Sequence, residues 1–459
     1  MPQERPTPTS LPRAFALEEL FFSTTDTKGH IRSGNRVFTR VSGYDERALI
    51  GAAHNVIRHP DMPRVVFRLL WEYLGRGQPI AAYVKNMASD GAYYWVVASV
   101  VPVSGGYLSV RFKPSSSLFA TVEGLYGQLR EIERPFDERG DRRGGMDAAQ
   151  SALQLALGEL GFASYDDFMF MMLPHELRSR AQVLGTRPFE PLGPSASAEL
   201  TELLARAEDL DGFLGTLFTQ LGDYSTLEKD LSATAAYVLE LAAQVRLTSQ
   251  NAAVAAFRLE SAGKTLGAIA HAMAQHTAET TRLVRSLDGR IHGTARTARS
   301  AAFSIAAAKL QVEVMRDFGH ELASGSGPVH AARESVAALV QSLIVGVRGV
   351  FEILTTLSSN LTTLATDLDD LDKLLRTLNA VHFTGRVEAA HASDGASFES
   401  LFTRVSVEID QAQVRMREFA RVVGPIADRA RQNLSAHDII SGVLSTVDRQ
   451  ARALHRIES

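Results

Sequence analysis

Beyond residue 199 the chain is a succession of long runs with helical pattern, and their length restricts what it can build. Glu199–Phe257 and Thr265–Leu322 contain no proline, the residue that breaks a helix interior by removing a backbone donor and clashing with the preceding turn. Each run is about 58 residues, or roughly 87 Å if fully helical. Ser261-Ala262-Gly263 supplies a turn between them, and Ser324-Gly325-Ser326-Gly327-Pro328 ends the pair. Val329–His391 and Ala396–Ile457 repeat the arrangement around Ser393-Asp394-Gly395. Within the third run Leu354, Leu357, Leu361, Leu364, Leu368, Leu371, Leu375 and Leu378 step by three or four residues, the spacing of a coiled-coil seam. The expected architecture is two long antiparallel hairpins, residues 199–322 and 329–457, packed lengthwise in four-helix-bundle fashion. Four arms in one chain predict either a bundle closed within that chain or a homodimer with two successive bundles.

Residues 20–113 follow a different rhythm. Leu20–Thr25 and Gly29–Ser33 read as a hairpin around the turn Asp26-Thr27-Lys28-Gly29, whose residue types favour tight reversal. Asn35 is placed to cap a helix over Arg36–Val41, and Asp61 to cap a longer one through Leu74. Strands are expected at Ile80–Met87, Tyr93–Pro102 and Gly106–Lys113. Together they predict a compact α+β domain, a five-stranded antiparallel sheet with short helices on one side. Residues 114–198 read as a helical connector, with runs at Leu118–Arg134 and Met146–Leu184 separated by the glycine-rich stretch Asp137–Gly145. The segment Gly185–Ser197 reads as a helix-breaking linker. Residues 1–19, with several prolines and no apolar run, read as a disordered leader rather than a targeting segment.

Composition removes several functions. The 48 basic and 52 acidic residues leave a net charge of −4, so the overall balance steers the chain to neither nucleic acid nor anionic membrane. The absence of cysteine excludes disulfides, thiolate metal sites and thiol nucleophiles. Ala337–Leu357 is apolar but interrupted by Gln341, Arg348 and Glu352, so no membrane insertion is expected and a cytoplasmic location is the default. The histidines show no metal-ligand spacing. Gly263-Lys264-Thr265 resembles the end of a phosphate-binding loop, yet Arg258 stands where that loop needs glycine. With no kinase, cyclase or phosphodiesterase signature, the expectation is a protein that is not an enzyme and acts through binding.

The run His54-Asn55-Val56-Ile57-Arg58-His59-Pro60-Asp61-Met62-Pro63, with Trp71 downstream, carries chemistry suited to an anionic aromatic cofactor. Arg58 offers a guanidinium fork for a pyrophosphate, Asn55 and His59 offer hydrogen bonds, and Trp71 a flat stacking surface. A bland reading stands beside it: Asn35 and Asp61 as helix caps, Trp71 and Trp95 as core, Asn86 in a strand ladder, Arg58 and His59 as a surface pair.

Together with Ser23-Thr24-Thr25-Asp26, Asn35, Val41-Ser42-Gly43-Tyr44, Val84-Lys85-Asn86, Gly91 and Tyr94-Trp95-Val96, this run resembles the FAD-binding PAS domain of bacterial aerotaxis receptors. The resemblance implies a noncovalent FAD that reports redox or oxygen status. It implicates Asn35, Arg58, His59, Asp61, Trp71 and Asn86 in holding the flavin or passing its signal. One departure stands out: Ile80 replaces the tryptophan that the family places after Gly-x-Pro, removing a stacking ring. Haem held by a histidine of this domain is a minor alternative.

A second resemblance lies at the hairpin tips. Asn251–Arg258 with Gly263–Ala270, and Gly385–Ala392 with Gly395–Phe398, are similar to the signalling tip of methyl-accepting chemotaxis proteins, in degenerate form. It implies the chemotaxis histidine kinase, its coupling protein or related receptors as partners. Adjacent Glu/Gln pairs, the usual setting for methyl acceptors in that family, are missing from the helices, so adaptation by methylation is not expected. Two readings follow: a redox, oxygen or energy sensor whose PAS-bound FAD biases a helical output bundle, or a cofactor-free PAS and coiled-coil scaffold that regulates chemotaxis-type complexes.

Overall fold

The structure is a computed structural model that describes residues 6–185, 190–193, 196–256, 263–325, 332–391 and 396–457. Ser261 and Ala262 of the first expected turn, all of Ser393-Asp394-Gly395, most of Ser324–Pro328 and part of the Gly185–Ser197 linker lie outside these residues.

Strands β1 (Phe21–Asp26) and β2 (Ile31–Gly34) form the expected hairpin. Asp26 closes its turn: Oδ1 accepts from the Lys28 and His30 amides at 2.8 Å each, and Oδ2 lies 3.0 Å from His30 Nδ1. These bonds, the His30 amide foremost, hold the Asp26 carboxyl at a pKa of about 2. Gly29 takes a φ of 82°, a conformation that side chains with a Cβ rarely adopt. Asn35 caps α1 (Arg36–Ser42) by accepting from the Phe38 amide. Then come α2 (Glu46–Leu49), a 3₁₀ turn at His54–Ile57 and α3 (Arg64–Gly75). Strands β3 (Ile80–Met87), β4 (Tyr93–Val103) and β5 (Gly106–Phe112) complete an antiparallel sheet in the order β2-β1-β5-β4-β3. Gly106 is required where β5 begins, since a Cβ there would sit 1.8 Å from the Thr25 carbonyl oxygen.

Two expectations for this domain are corrected. Asp61 does not cap α3, whose N-cap position is Pro63; the free amides of Arg64 and Val65 instead donate to the Glu133 carboxylate at 2.8 and 3.0 Å. The leader is ordered from Thr9 onward: Thr9 N–H donates to Gly91 O, Arg13 N–H to Tyr93 O, and Tyr93 N–H to Leu11 O. The physical reason lies in the register. β5 ends opposite Val97, leaving the first residues of β4 with one unpaired backbone edge, which the leader fills.

The connector comprises α4 (Leu118–Glu138), α5 (Arg142–Glu159) and α6 (Tyr165–Leu184). The break expected over Asp137–Gly145 shrinks to a short turn, because Asp141 caps α5 through the Gly144 amide. The run expected over Met146–Leu184 is split, because Gly161 adopts a φ of 86° and Ser164 caps α6 by accepting from the Asp167 amide.

Beyond the linker lie α7 (Ala198–Gln220), α8 (Tyr224–Ala256), α9 (Gly263–Ala323), α10 (Ala332–His391), α11 (Ala396–Ser435) and α12 (His437–Ile457). The first and last arms are each interrupted, by a 3₁₀ turn at Leu221–Asp223 and at Ala436. The chain divides into two compact units. One contains residues 1–220, 299–351 and 437–459. In it α7 packs against α12, Phe213 stacks on Phe351, and Lys309 pairs with Asp211. The other contains residues 221–298 and 352–436. There α8 packs against α11, Arg290 pairs with Asp367, and Asn379 donates to Asp410. The expected leucine seam from Leu354 to Leu378 is buried throughout. α10 holds a window long and apolar enough to cross a membrane by length and composition, and half of that window is buried inside the protein.

In the first unit the sheet is covered on both faces rather than one. Helix α3 lies over one face through Phe67, Leu70, Trp71 and Leu74, at the i, i+3, i+4, i+7 spacing of a single helix side. On the other, Trp95 meets Phe119 and Tyr126 of α4, and Tyr83 donates to Glu176 of α6 at 2.6 Å. Phe22 meets Phe318 of α9 edge to face at 5.0 Å, and Ser33 bonds Ser335 of α10.

Candidate ligand pocket

Alternation along the strands sorts the side chains of the sheet into two sets. Thr25, Val84, Asn86, Ala98, Val100, Tyr107, Ser109 and Arg111 face α3, and with that helix they enclose a cavity of about 120 Å³. Gly29, His54, Asn55 and Arg58 complete its lining. Phe67, Leu70, Leu74, Val84 and Val100 make its walls apolar. Trp71 is 44% exposed and packs on Tyr107 at 5.8 Å between ring centres. Its ring lies 3.0 Å from the point where a Cβ on Gly29 would stand.

Two polar atoms in the lining are buried without a hydrogen-bond partner: Asn86 Nδ2 and Ser109 Oγ. Burying such an atom unpaired costs about 1–3 kcal/mol, so in a pocket they mark where a ligand's polar edge would be met. On the opposite face Trp95 Nε1 and Tyr126 OH are also unpaired, but there they face packed helices rather than a cavity.

Of the residues expected at the site, Asn55, Arg58, Trp71 and Asn86 come together in the lining. The Arg58 guanidinium donates to Met62 O at 2.9 Å and lies over the Phe67 ring at 4.2 Å. Asn35, His59 and Asp61 lie outside the lining. Asn35 is spent on structure: besides capping α1 it donates to Leu20 O and accepts from the Phe22 amide. His59 is buried, with Nδ1 accepting from the Asp61 amide; desolvation, then the Lys85 charge, lower its pKa. Asp61 pairs with Lys85 at 2.8 Å; burial is the largest single influence and pushes its pKa up, but the Lys85 bond together with the Lys85, His59 and Arg130 charges makes the net shift downward. Ile80 is buried and does not line the cavity.

Sequence reasoning missed the buried cation of the pocket. Arg111, on the central strand β5, donates to Ser23 Oγ at 2.9 Å and lies 2.9 Å from His54 Nε2. Desolvation lowers its pKa to about 10. The same burial, with the Arg111 charge second, lowers the His54 pKa well below its usual value, so the imidazole is neutral and accepts from the guanidinium. The signal was present in β5, where Tyr107, Ser109 and Arg111 alternate with Leu108, Val110 and Phe112.

Residues 32–109 match the family model for the PAS fold. The N-terminal domain has the PAS fold. Over 112 residues the chain is 41% identical to the aerotaxis receptor of Escherichia coli K12, covering 23% of this chain and 22% of that protein. Over 81 residues it is 30% identical to a nitrogen fixation regulatory protein of Klebsiella pneumoniae, covering 18% of this chain and 16% of the relative. Thus the chain spans less than a quarter of the length of either relative. A solved PAS domain from Colwellia psychrerythraea aligns at 20% identity and a TM-score of 0.18, over 20% of this chain and 85% of its own. These relatives are named as receptor and regulatory proteins, which supports a sensory signalling role for the PAS domain.

Proposed function

We propose that the PAS domain, residues 20–113, binds FAD noncovalently in its cavity and reports redox or oxygen state to the helices in chemotaxis-type signalling. The observation that carries this reading is the pair of unpaired buried atoms, Asn86 Nδ2 and Ser109 Oγ, inside an otherwise apolar cavity. A flavin ring is flat and apolar on its faces and hydrogen-bonding along its edge, and when bound it supplies reversible electron uptake. Asn86 and Ser109 would meet that edge, Arg58 suits a pyrophosphate, and Trp71 offers a ring at the mouth. In this reading Asn35, His59 and Asp61 support the pocket from behind, by fixing α1 and the approach to α3.

Strand β3 carries Asn86 toward the cavity and Tyr83 toward Glu176 of α6, so one strand touches both the ligand site and the connector. A ligand shifts such an element only by binding its two arrangements unequally. Output then passes through binding rather than catalysis, to a chemotaxis kinase, its coupling protein or related receptors, in the cytoplasm. The region beyond residue 198 acts as a bundle closed within the chain or as part of a homodimer; light scattering on the full chain separates the two.

A second reading has its own support. The cavity, at about 120 Å³, falls below the ~300–1,000 Å³ of common ligand sites. This favours a cofactor-free scaffold. The deciding experiment is an absorption spectrum of protein purified without added cofactor, before and after dithionite and then air. Bands near roughly 375 and 450 nm that bleach and return support the flavin sensor, and a Soret band means haem. Colourless protein that takes up no added FAD rejects the sensor in favour of the scaffold.

A further inference from the structure

Arg111 is a further feature of the pocket that neither the helix caps nor the packing explains. It is only 6% exposed, yet no carboxylate among the described residues lies within ion-pairing distance of it. Its partners are neutral: the Ser23 hydroxyl and the His54 imidazole. A buried charge without a counter-charge is among the most unfavourable arrangements in a protein, and an arginine cannot escape it by giving up its proton near neutral pH. On β5, Arg111 and Ser109 are two residues apart and share the face that lines the cavity. The unpaired Ser109 hydroxyl and the uncompensated guanidinium therefore belong to one wall.

We infer that Arg111 is the waiting counter-charge for a planar ligand in its anionic state. Resting on the flavin reading above, the cavity binds reduced, negatively charged FAD more tightly than oxidised, neutral FAD. The protein then favours the reduced state by linkage: whichever form is bound more tightly is the form the equilibrium favours, by the ratio of the two affinities. A tenfold preference corresponds to a midpoint potential about 30 mV higher for a two-electron couple. His54 and Ser23 position the guanidinium, and Asn86 and Ser109 hold the ligand's neutral edge in either state.

The test uses full-length protein loaded with FAD and reduced stepwise by dithionite against a reference dye, alongside free FAD in the same buffer. The wild-type midpoint should lie at least 30 mV above that of free FAD, a tenfold preference. Arg111→Gln should remove most of this difference, and Arg111→Lys, which keeps the charge, should restore a large part of it. A wild-type midpoint at or below that of free FAD overturns the inference whether or not the variants fold. So does an Arg111→Gln variant that weakens oxidised and reduced FAD equally, since that marks a purely structural role. Wild-type protein that binds FAD in neither state overturns the flavin reading itself, a result distinct from bound flavin with an unshifted potential.

Discussion

The two faces of the PAS sheet are made by alternate residues of the same strands, and they treat buried charge differently. On the face toward the connector, the fully buried Glu176 carboxylate is saturated: it accepts from Tyr83 OH, from the Ser115 and Ser116 amides and from the Ser115 and Ser116 hydroxyls. Arg180 on the same helix pairs with Glu313 at 2.7 Å. On the face toward α3, Arg111 has no counter-charge among the described residues, and Asn86 and Ser109 hold unpaired atoms. On the packed face the unpaired atoms, Trp95 Nε1 and Tyr126 OH, face helices, whereas on the other the unpaired atoms border a cavity.

The comparison can be broken from its packed side first. Phe318→Ala removes the ring that Phe22 packs on and should destabilise the domain by about 4 kcal/mol. Urea denaturation followed by tryptophan fluorescence reads this domain alone, because the chain's two tryptophans, Trp71 and Trp95, both lie in it. A loss near zero would show that the sheet does not depend on α9. Glu176→Ala strands two amides, a tyrosine hydroxyl and two serine hydroxyls, and about 3 kcal/mol of stability should go with it. Glu176→Gln, which keeps the acceptor oxygen, should lose less, and equal losses would mean that packing rather than hydrogen bonding holds this face.

On the cavity side the expected effects are smaller and differ in kind. The folded protein holds His54 neutral at a pKa well below its usual 6.5, while the unfolded chain protonates near that value. Stability is therefore fully present above about pH 6.5 and falls as the pH drops below it, by at most about 1.4 kcal/mol per pH unit for one proton. His54→Gln should flatten this slope between roughly pH 6.5 and 5; an unchanged slope would assign the acid sensitivity to another group. Ser109→Ala removes a buried hydroxyl that has no partner, so it should leave stability unchanged or raise it by up to ~1 kcal/mol while weakening ligand uptake. Destabilisation by Ser109→Ala would instead reveal a structural role for that hydroxyl.

Much of the fold was legible because it depends on periodicity. The period-two strands and the leucine seam of α10 state which residues go inside without reference to any distant part of the chain. The hairpin turn was equally legible, since Asp26 and Gly29 act within five residues. Capping of α3 was not: Asp61 stands where a local cap belongs, but Glu133, some seventy residues downstream, does the work. At the site, Asn55, Arg58 and Trp71 were visible as residue types suited to a cofactor, and Asn86 only through the family resemblance. Arg111 was hidden because a lone arginine in a strand reads as solvated until its neighbours are known.

The sequence by itself determined the two kinds of architecture, an alternating sheet domain and long helices with an apolar seam, because side-chain spacing alone decides which face is buried. Only the tertiary structure decided that the sheet is covered on both sides, that Glu133 and Glu176 satisfy amides remote in the chain, and that a cationic side chain is sealed into the cavity without an anion. The reason is physical: hydrophobic periodicity is a local property of the chain, whereas hydrogen-bond satisfaction and charge compensation depend on which distant groups the fold brings within about 3 Å.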